Sequence, residues 1–336
     1  MTKTNKKIVI AGAGSIGCYV GGMLASGGAD VHFFARDRIA KDLYANGLHL
    51  SDWTGIDVKL SADQLNISTD ANILADADLI LMCVKSKDSV EMATAILNSG
   101  NTKASVFSCQ NGVGNVAAIE SVLSNHTVLP VMVPYNVVYE VGGHFHCGTE
   151  GELYCQDHPN AIPLQAAARN AKLGFELKPE MMNILWGKLL LNLNNPVNAL
   201  SGIPLKEQLE NKAYRSIYVR CLKEGLAVFK AANIIPGKVA AVPVAVIPII
   251  LSLPNFLFKR VAQSMLAMDP KARSSMWEDL QNRRPVEVDY ITGEIIKLGE
   301  KVGVKTPMNQ RLLELVKQAQ DSGAGSPNLS PAQMAG

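Results

Sequence analysis

The sequence predicts an α/β domain on a Rossmann-like, doubly wound sheet, followed by an all-α domain. Three observations carry this. From Lys7 to about Leu177, short apolar runs alternate with helical stretches, the pattern of parallel strands joined by crossover helices. From Pro179 onward, apolar residues recur at helical spacing instead. The first apolar run also ends in a glycine-rich turn that opens a helix-like segment. The expected boundaries are 1–178 for the sheet domain and 179–320 for the helical domain. Residues 321–336, rich in Gly, Ser, Pro and Ala, are expected to be a disordered tail.

Taken in order, Lys7–Ala11 reads as the first buried strand. It leads into Gly12-Ala13-Gly14-Ser15-Ile16-Gly17 and then a helix from Cys18 to Ala25. Gly12 permits the tight turn, Gly14 lets backbone approach a pyrophosphate, and Gly17 lets helix and strand pack closely. The pyrophosphate then faces the free N–H groups at the helix N-terminus.

The second strand, Asp30–Ala35, decides between dinucleotides. An NAD site places an acid at the strand's C-terminal end to hold the ribose 2′-hydroxyl. Here that end carries Ala35 and Arg36, and Asp30 lies at the wrong end. A guanidinium at Arg36 suits a 2′-phosphate, so the expected cofactor is NADP(H), although Asp37 partly offsets the charge. A solvated surface arginine is the plainer alternative.

The strands Leu79–Val84, Ser105–Cys109 and Val128–Tyr135 follow, and His144–Gln156 reads as an added antiparallel pair at the sheet end. Ligands in doubly wound sheets bind outside the carboxyl ends of strands. Lys85 could there reach a phosphate, and Asn111 the nicotinamide ribose or the substrate. Asn111-Gly112 is equally an ordinary turn dipeptide.

In the helical half, Met181–Leu200, Lys206–Ala232 and the region from Lys271 to Val302 show the helical period. Lys188, Asn192 and Asn195 fall at i, i+4 and i+7 on one face beside a leucine stripe. A lysine there needs water or a partner, and a solvated helix face satisfies the spacing as well. The run Ala240–Phe258 is apolar but broken by Pro243, Pro248 and Pro254. It reads as a lid, a wall of a substrate site or a subunit interface rather than a membrane span. The last of these leaves room for a homodimer through the helical domain.

Composition narrows the function further. The chain has 336 residues, with 32 Lys and Arg against 30 Asp and Glu, and no dense basic run, so nucleic acid is not an expected partner. No signal-peptide pattern opens the chain, and its six cysteines are scattered without a Cys-x-x-Cys, as in a cytoplasmic protein with reduced thiols. His144 and His146 share a strand face, but no further ligands complete a tetrahedral set, so no metal is expected.

Together, GAGSIG, VKSK (84–87), QNGVG (110–114), WGKLLLNLNNP (186–196) and RSSMWEDL…RRPVEVDYITGEII (273–296) resemble the ketopantoate reductase (2-dehydropantoate 2-reductase) family over nearly the whole chain up to Lys317. The resemblance implies NADPH-dependent reduction of a small 2-keto acid. It also implies that Lys188 is the general acid and that Glu287 is a carboxylate at the substrate and cofactor site. Asn111, Asn192 and Asn195 would be polar positioners, and Ser275 a contact to the substrate carboxylate. A lysine ammonium beside the carbonyl both stabilises a developing alkoxide and protonates it. A sister reductase of another 2-keto acid or imine fits the same motifs. The joint presence of Lys188 and Glu287 argues against a non-catalytic NADPH sensor.

Overall fold

The computed structural model describes residues 6–239, 242–263 and 265–336. The chain folds as two compact units that divide between Met181 and Met182. The N-terminal unit runs β1 (Ile8–Ala11), α1 (Ser15–Ser26), β2 (Val31–Phe34), α2 (Asp37–Asn46), β3 (Leu48–Asp52), β4 (Asp57–Leu60), β5 (Asn66–Ser68) and β6 (Leu79–Met82). It continues through α3 (Ser89–Asn98), β7 (Ser105–Ser108), α4 (Asn115–Glu120), β8 (Val128–Met132), β9 (Val137–Tyr139), β10 (His144–Cys147), β11 (Leu153–Gln156), α5 (Ile162–Asn170) and β12 (Phe175–Lys178).

Its main sheet has eight strands in the order β12-β11-β8-β7-β6-β1-β2-β5. All neighbours pair in parallel except β11 with β8. The central strands are unbroken apolar runs because both faces are covered. Ile8 and Ile10 of β1 join one core cluster with Leu79 and Leu81 of β6. Val9 and Ala11 join the cluster on the opposite face with Ile80 and Met82. From β1 the chain winds outward through β2 to β5, then returns to the other side of β1 with β6. The strand order therefore reverses between β1 and β6, the place where such sheets open a ligand crevice.

The expected antiparallel pair over His144–Gln156 does not form. β10 belongs to a separate four-stranded sheet, β4-β3-β10-β9, where it lies parallel to β3, while β11 joins the main sheet against β8. In β10, Phe145 and Cys147 are buried while His144 and His146 face outward. That alternation suits a half-covered sheet, and its partner β3 lies far back in the chain, where local pattern gives no sign of it.

The C-terminal unit is helical: α6 (Met181–Asn192), α7 (Asn194–Ser201), α8 (Leu205–Glu210), α9 (Lys212–Ala231), α10 (Ile247–Ser252), α11 (Asn255–Val261), α12 (Ser275–Gln281), α13 (Val288–Val302), α14 (Pro307–Ser322) and α15 (Pro331–Ala335). Each long helical run expected from periodicity is interrupted. Pro196 lacks an N–H, and its ring opposes the carbonyl of the residue four before it, Asn192, where α6 stops. Leu193 bridges to α7, its N–H turning tightly onto the Leu190 carbonyl at 3.2 Å. Asn211 separates α8 from α9 and caps the latter by accepting from the Ala213 N–H. The α14 N-terminus is capped from a distance: the Glu224 carboxylate accepts from the Met308 and Asn309 N–H groups at 2.8 and 3.0 Å.

The tail at 321–336 is ordered, against expectation. Ser326 Oγ donates to the Ala199 carbonyl at 2.7 Å, Leu329 N–H donates to Leu200 O at 2.8 Å, and Met334 of α15 is fully buried. The residues that suggested disorder instead supply turns and a capping box, Ser330 with Gln333.

Of the apolar run 240–258, Ala240 and Ala241 lie outside the described residues. The remainder forms α10 and much of α11, with Val244, Ile247, Leu251 and Phe258 buried. Arg215 of α9 secures it. This fully buried guanidinium donates to the carbonyls of Leu209, Leu251 and Leu253 and to Asn255 Oδ1, all within 2.7–2.9 Å, and stacks 4.1 Å over the Phe258 ring. Burial lowers its pKa, so the carbonyl cage is what makes the charge tolerable. No helix among the described residues is long and apolar enough to cross a membrane.

Candidate active site

The glycine turn between β1 and α1 has the shape its three glycines imply. Gly12 holds φ at +102°, and a Cβ there would sit 2.7 Å from the Val84 backbone nitrogen. A Cβ on Gly17 would sit 2.3 Å from the Gly12 carbonyl oxygen and 2.9 Å from Ile10 Cγ2, so only hydrogen lets α1 approach β1. Around Gly14 no described heavy atom lies within 4 Å of the Cβ position. The space that a close-lying ligand needs is therefore open at Gly14 and closed at its two companions. Gly14 is the α1 N-cap without a side-chain cap bond. The N–H groups of Ser15, Ile16 and Gly17 belong to the first turn, whose donors have no acceptor within the helix. Ala13 is buried beneath them. The residues present fit a dinucleotide pyrophosphate.

The neighbouring strand ends bring further groups to this edge. Arg36 directly follows β2 and caps α2, with its side chain 83% exposed and its Nη2 donating to Asp88 Oδ2 at 3.1 Å. Asp37, the residue that weakens the phosphate reading, is the first of α2. Lys85 follows β6 and opens the short 3-10 turn Ser86–Asp88. Asn111 follows β7, and its carbonyl accepts from Ser86 Oγ at 3.0 Å and Asn115 Nδ2 at 2.6 Å. The Gly12–Gly17 turn, Arg36, Lys85 and Asn111 thus all stand at the carboxyl ends of four adjacent strands.

What locks the Lys85 and Asn111 loops together was not foreseen. Gln110 Nε2 donates to Ser89 Oγ at 2.6 Å, Ser89 Oγ donates to the Ser86 carbonyl at 2.7 Å, and Ser89, Gln110 and Asn115 are all buried. A buried polar group must find partners, so such residues rigidify a loop once paired.

In the C-terminal unit Lys188 and Asn192 lie half-buried on α6, among leucines. The break at Leu193 puts Asn195 on α7, so the three do not share one continuous helix face as the spacing suggested. Asn195 instead meets the α12 terminus, its carbonyl accepting from Ser274 Oγ at 3.3 Å. Ser274 is the buried N-cap, and Ser275, the expected substrate contact, is exposed at the first position of α12. Glu287 is half-buried at the N-cap of α13, where its side chain makes no capping bond.

Three further polar residues of this region escaped sequence reasoning. Asn198, fully buried, donates to the Ile203 carbonyl at 2.9 Å and accepts from Ser274 N–H at 2.8 Å, tying α7 to the start of α12. Asn194 and Gln208 exchange two amide hydrogen bonds of 3.0 and 2.9 Å in the core. The available signal was asparagine at i and i+4 in an otherwise apolar helix, which demands buried partners.

The histidines that suggested a metal are otherwise engaged. His144 pairs through Nδ1 with Glu140 at 2.7 Å and through Nε2 with Ser51 Oγ at 2.7 Å, and Ser51 also bonds His146 Nδ1 at 2.8 Å. His49 stacks on His144 with ring centroids 4.0 Å apart and bonds Asp57. Among the described residues no three His, Cys, Asp or Glu side chains are placed to hold a metal ion.

Comparison with known proteins identifies the family. Residues 8–160 match the family described as ketopantoate reductase PanE/ApbA, and residues 180–320 match its C-terminal region. A 2-dehydropantoate 2-reductase of Halobacterium salinarum is 25% identical, the match covering 94% of this chain and all of that protein. The crystal structure of a PanE/ApbA family ketopantoate reductase from Ralstonia eutropha superposes with a TM-score of 0.80 at 29% identity, over 94% of this chain and 99% of that one. A D-mandelate dehydrogenase solved with NADH and anilino(oxo)acetate shares the fold, with a TM-score of 0.76 at 22% identity over 94% and 99% of the two chains. The chain belongs to the ketopantoate reductase PanE/ApbA family and is an enzyme of the nicotinamide-dependent 2-hydroxyacid dehydrogenase type.

Proposed function

We propose that the protein reduces 2-dehydropantoate (ketopantoate) to pantoate with NADPH, in the cytoplasm, as a step of pantothenate synthesis. The observation that carries this reading is Lys188, a cation half-buried on a leucine-lined helix within the family's own motif. When bound, the nicotinamide supplies the hydride that adds to the 2-keto carbon. The Lys188 ammonium donates a hydrogen bond to the carbonyl oxygen, opposes the charge that develops there and delivers the proton. Glu287 orients that ammonium or accepts from a substrate hydroxyl, and it also borders the cofactor. Asn111, Asn192 and Asn195 hold polar groups without adding charge, and Ser275 donates to the substrate carboxylate. The first turn of α1 takes the pyrophosphate, Lys85 a phosphate and Arg36 the 2′-phosphate. All six cysteines are free thiols, which fits a reducing compartment. A homodimer through the helical unit is part of the proposal, and sedimentation reads it directly.

A second reading, reduction of a different 2-keto acid, draws on the secured apolar segment around α10 and α11 and on the shared fold of D-mandelate dehydrogenase. Initial rates of NADPH oxidation with ketopantoate beside a panel of 2-keto acids separate the two. In the same assay Lys188→Ala should lower kcat by roughly 10²–10⁴-fold while NADPH affinity, read by fluorescence titration, stays constant. A near-native kcat in this variant removes Lys188 from the mechanism.

A further inference from the structure

After α9 the chain turns back across α6. Gly237 N–H donates to the Asn183 carbonyl at 2.6 Å. The Gly237 carbonyl oxygen lies 2.3 Å from where a Cβ on Gly187 would stand, and a Cβ on Gly237 would lie 2.8 Å from Ile184 N. Two glycines thus let one backbone lie directly on another at the turn formed by Asn183, Ile184 and Gly187. That turn is the one Lys188 overlies, because helical side chains lean toward the N-terminus, onto the residues three and four before them. The crossing therefore runs beside the proton donor.

The residues on either side of the crossing are exposed. Ile235 is 76% accessible, and Lys238 is exposed as well. Two extended residues span about 7 Å, so Ile235 stays within a small substrate's length of Gly237. Further along, from Val242 onward, Val244, Ile247 and Leu251 are buried and Arg215 donates to the Leu251 and Leu253 carbonyls. The crossing is held to α6 at Gly237, and beside that contact it presents an exposed, branched apolar side chain.

We propose that the Ile235–Val239 crossing is a wall of the substrate site and that Ile235 is a specificity-determining residue, taking the branched apolar end of the 2-keto acid. This rests on the assignment of Lys188 as proton donor. The two methyl groups on the carbon next to the carbonyl of ketopantoate, the substrate already proposed, are what Ile235 would cover.

The test compares kcat/KM for 3,3-dimethyl-2-oxobutanoate and straight-chain 2-oxobutanoate, with NADPH, in the parent and in Ile235→Ala, Lys238→Ala and Gly237→Ala. The parent should prefer the branched acid. Ile235→Ala should lose about tenfold on the branched acid and little on the straight one, the usual worth of methyl contacts in a pocket. Lys238→Ala should change both acids alike. Gly237→Ala, which forces the crossing off α6, should reproduce the selectivity loss without altering Ile235. Ile235 is exposed, so its variant keeps the parent's melting temperature. An unchanged branched-to-straight ratio in Ile235→Ala overturns the proposal while leaving the reductase assignment intact. A parent that reduces neither acid nor ketopantoate, with NADPH or NADH, overturns both.

Discussion

Alanine at Gly14 and alanine at Gly17 should fail in different ways, and the difference follows from what each Cβ would meet. At Gly14 the backbone is extended (φ −89°, ψ −163°), a region open to any L-residue, and no described atom lies within 4 Å. The folded chain tolerates the methyl, losing at most about 1 kcal/mol of N-cap preference, or roughly 2–4 °C in melting temperature. The methyl does fill the space in front of the helix N-terminus. If it costs one charge-assisted N–H to phosphate hydrogen bond, about 1.5–3 kcal/mol, NADPH affinity falls by roughly tenfold to a hundredfold. At Gly17 the new carbon would lie 2.3 Å from a backbone oxygen, which no rotamer change relieves. Overpacking at the upper end of its usual range, about 3 kcal/mol, exceeds the gain in helix propensity, about 1 kcal/mol. A net loss of about 2 kcal/mol should lower the melting temperature of the cofactor-free protein by roughly 4–8 °C. Thermal melts without cofactor and fluorescence titration with NADPH read the two effects separately. A Gly14→Ala protein that binds NADPH within twofold of the parent would show that the phosphates do not lie on this turn. A Gly17→Ala protein as stable as the parent would refute the close approach of α1 to β1.

Three further outcomes are expected. Arg36→Ala should weaken NADPH by about ten- to a hundredfold and leave NADH nearly unchanged, since its exposed bridge to Asp88 contributes little to stability; equal KM values for the two cofactors in the parent would refute the 2′-phosphate role. Glu287→Gln should lower kcat/KM for the keto acid at least about tenfold, on the order of 1.4 kcal/mol, with NADPH affinity and the fold preserved because the amide keeps the size of the side chain and its capacity to hydrogen-bond; parent kinetics would make it a surface carboxylate. The N-terminal unit should lose stability as pH falls from about 7 toward about 5. Partial burial and the neighbouring His49 lower the His144 pKa, outweighing Glu140, so the unfolded chain takes up this proton more readily than the folded one. His144→Asn should flatten urea-denaturation stability across that range, and an undiminished slope would assign the loss to other groups.

The strands β1, β6 and β7 were legible because burial on both faces writes itself as an unbroken apolar run, with no pairing information needed. The small sheet was not. β3 and β10 alternate apolar and polar residues over four or five positions, and they pair in parallel across a separation of more than ninety residues, as the Ser51 to His144 bond shows. Composition misled at the C-terminus, because glycine, serine and proline serve ordered turns and caps as readily as disorder.

The same distinction runs through the site. The glycine turn and Arg36 owe their roles to neighbours within a few residues, and a local motif exposes them. Asn198 owes its role to Ser274, seventy-six positions away, and nothing beside it in the chain marks it as more than a helix asparagine. Lys188 stands between these cases. Its motif is local and readable, but the backbone crossing at Gly237 that borders it comes from a segment fifty residues on and packs against a glycine, Gly187, whose own motif gives no reason for it. A glycine in the middle of a helix weakens that helix by about 1 kcal/mol relative to alanine. The close approach of the Gly237 backbone supplies the reason: a Cβ at 187 would stand 2.3 Å from the Gly237 carbonyl oxygen, so any larger residue there would push the crossing off α6.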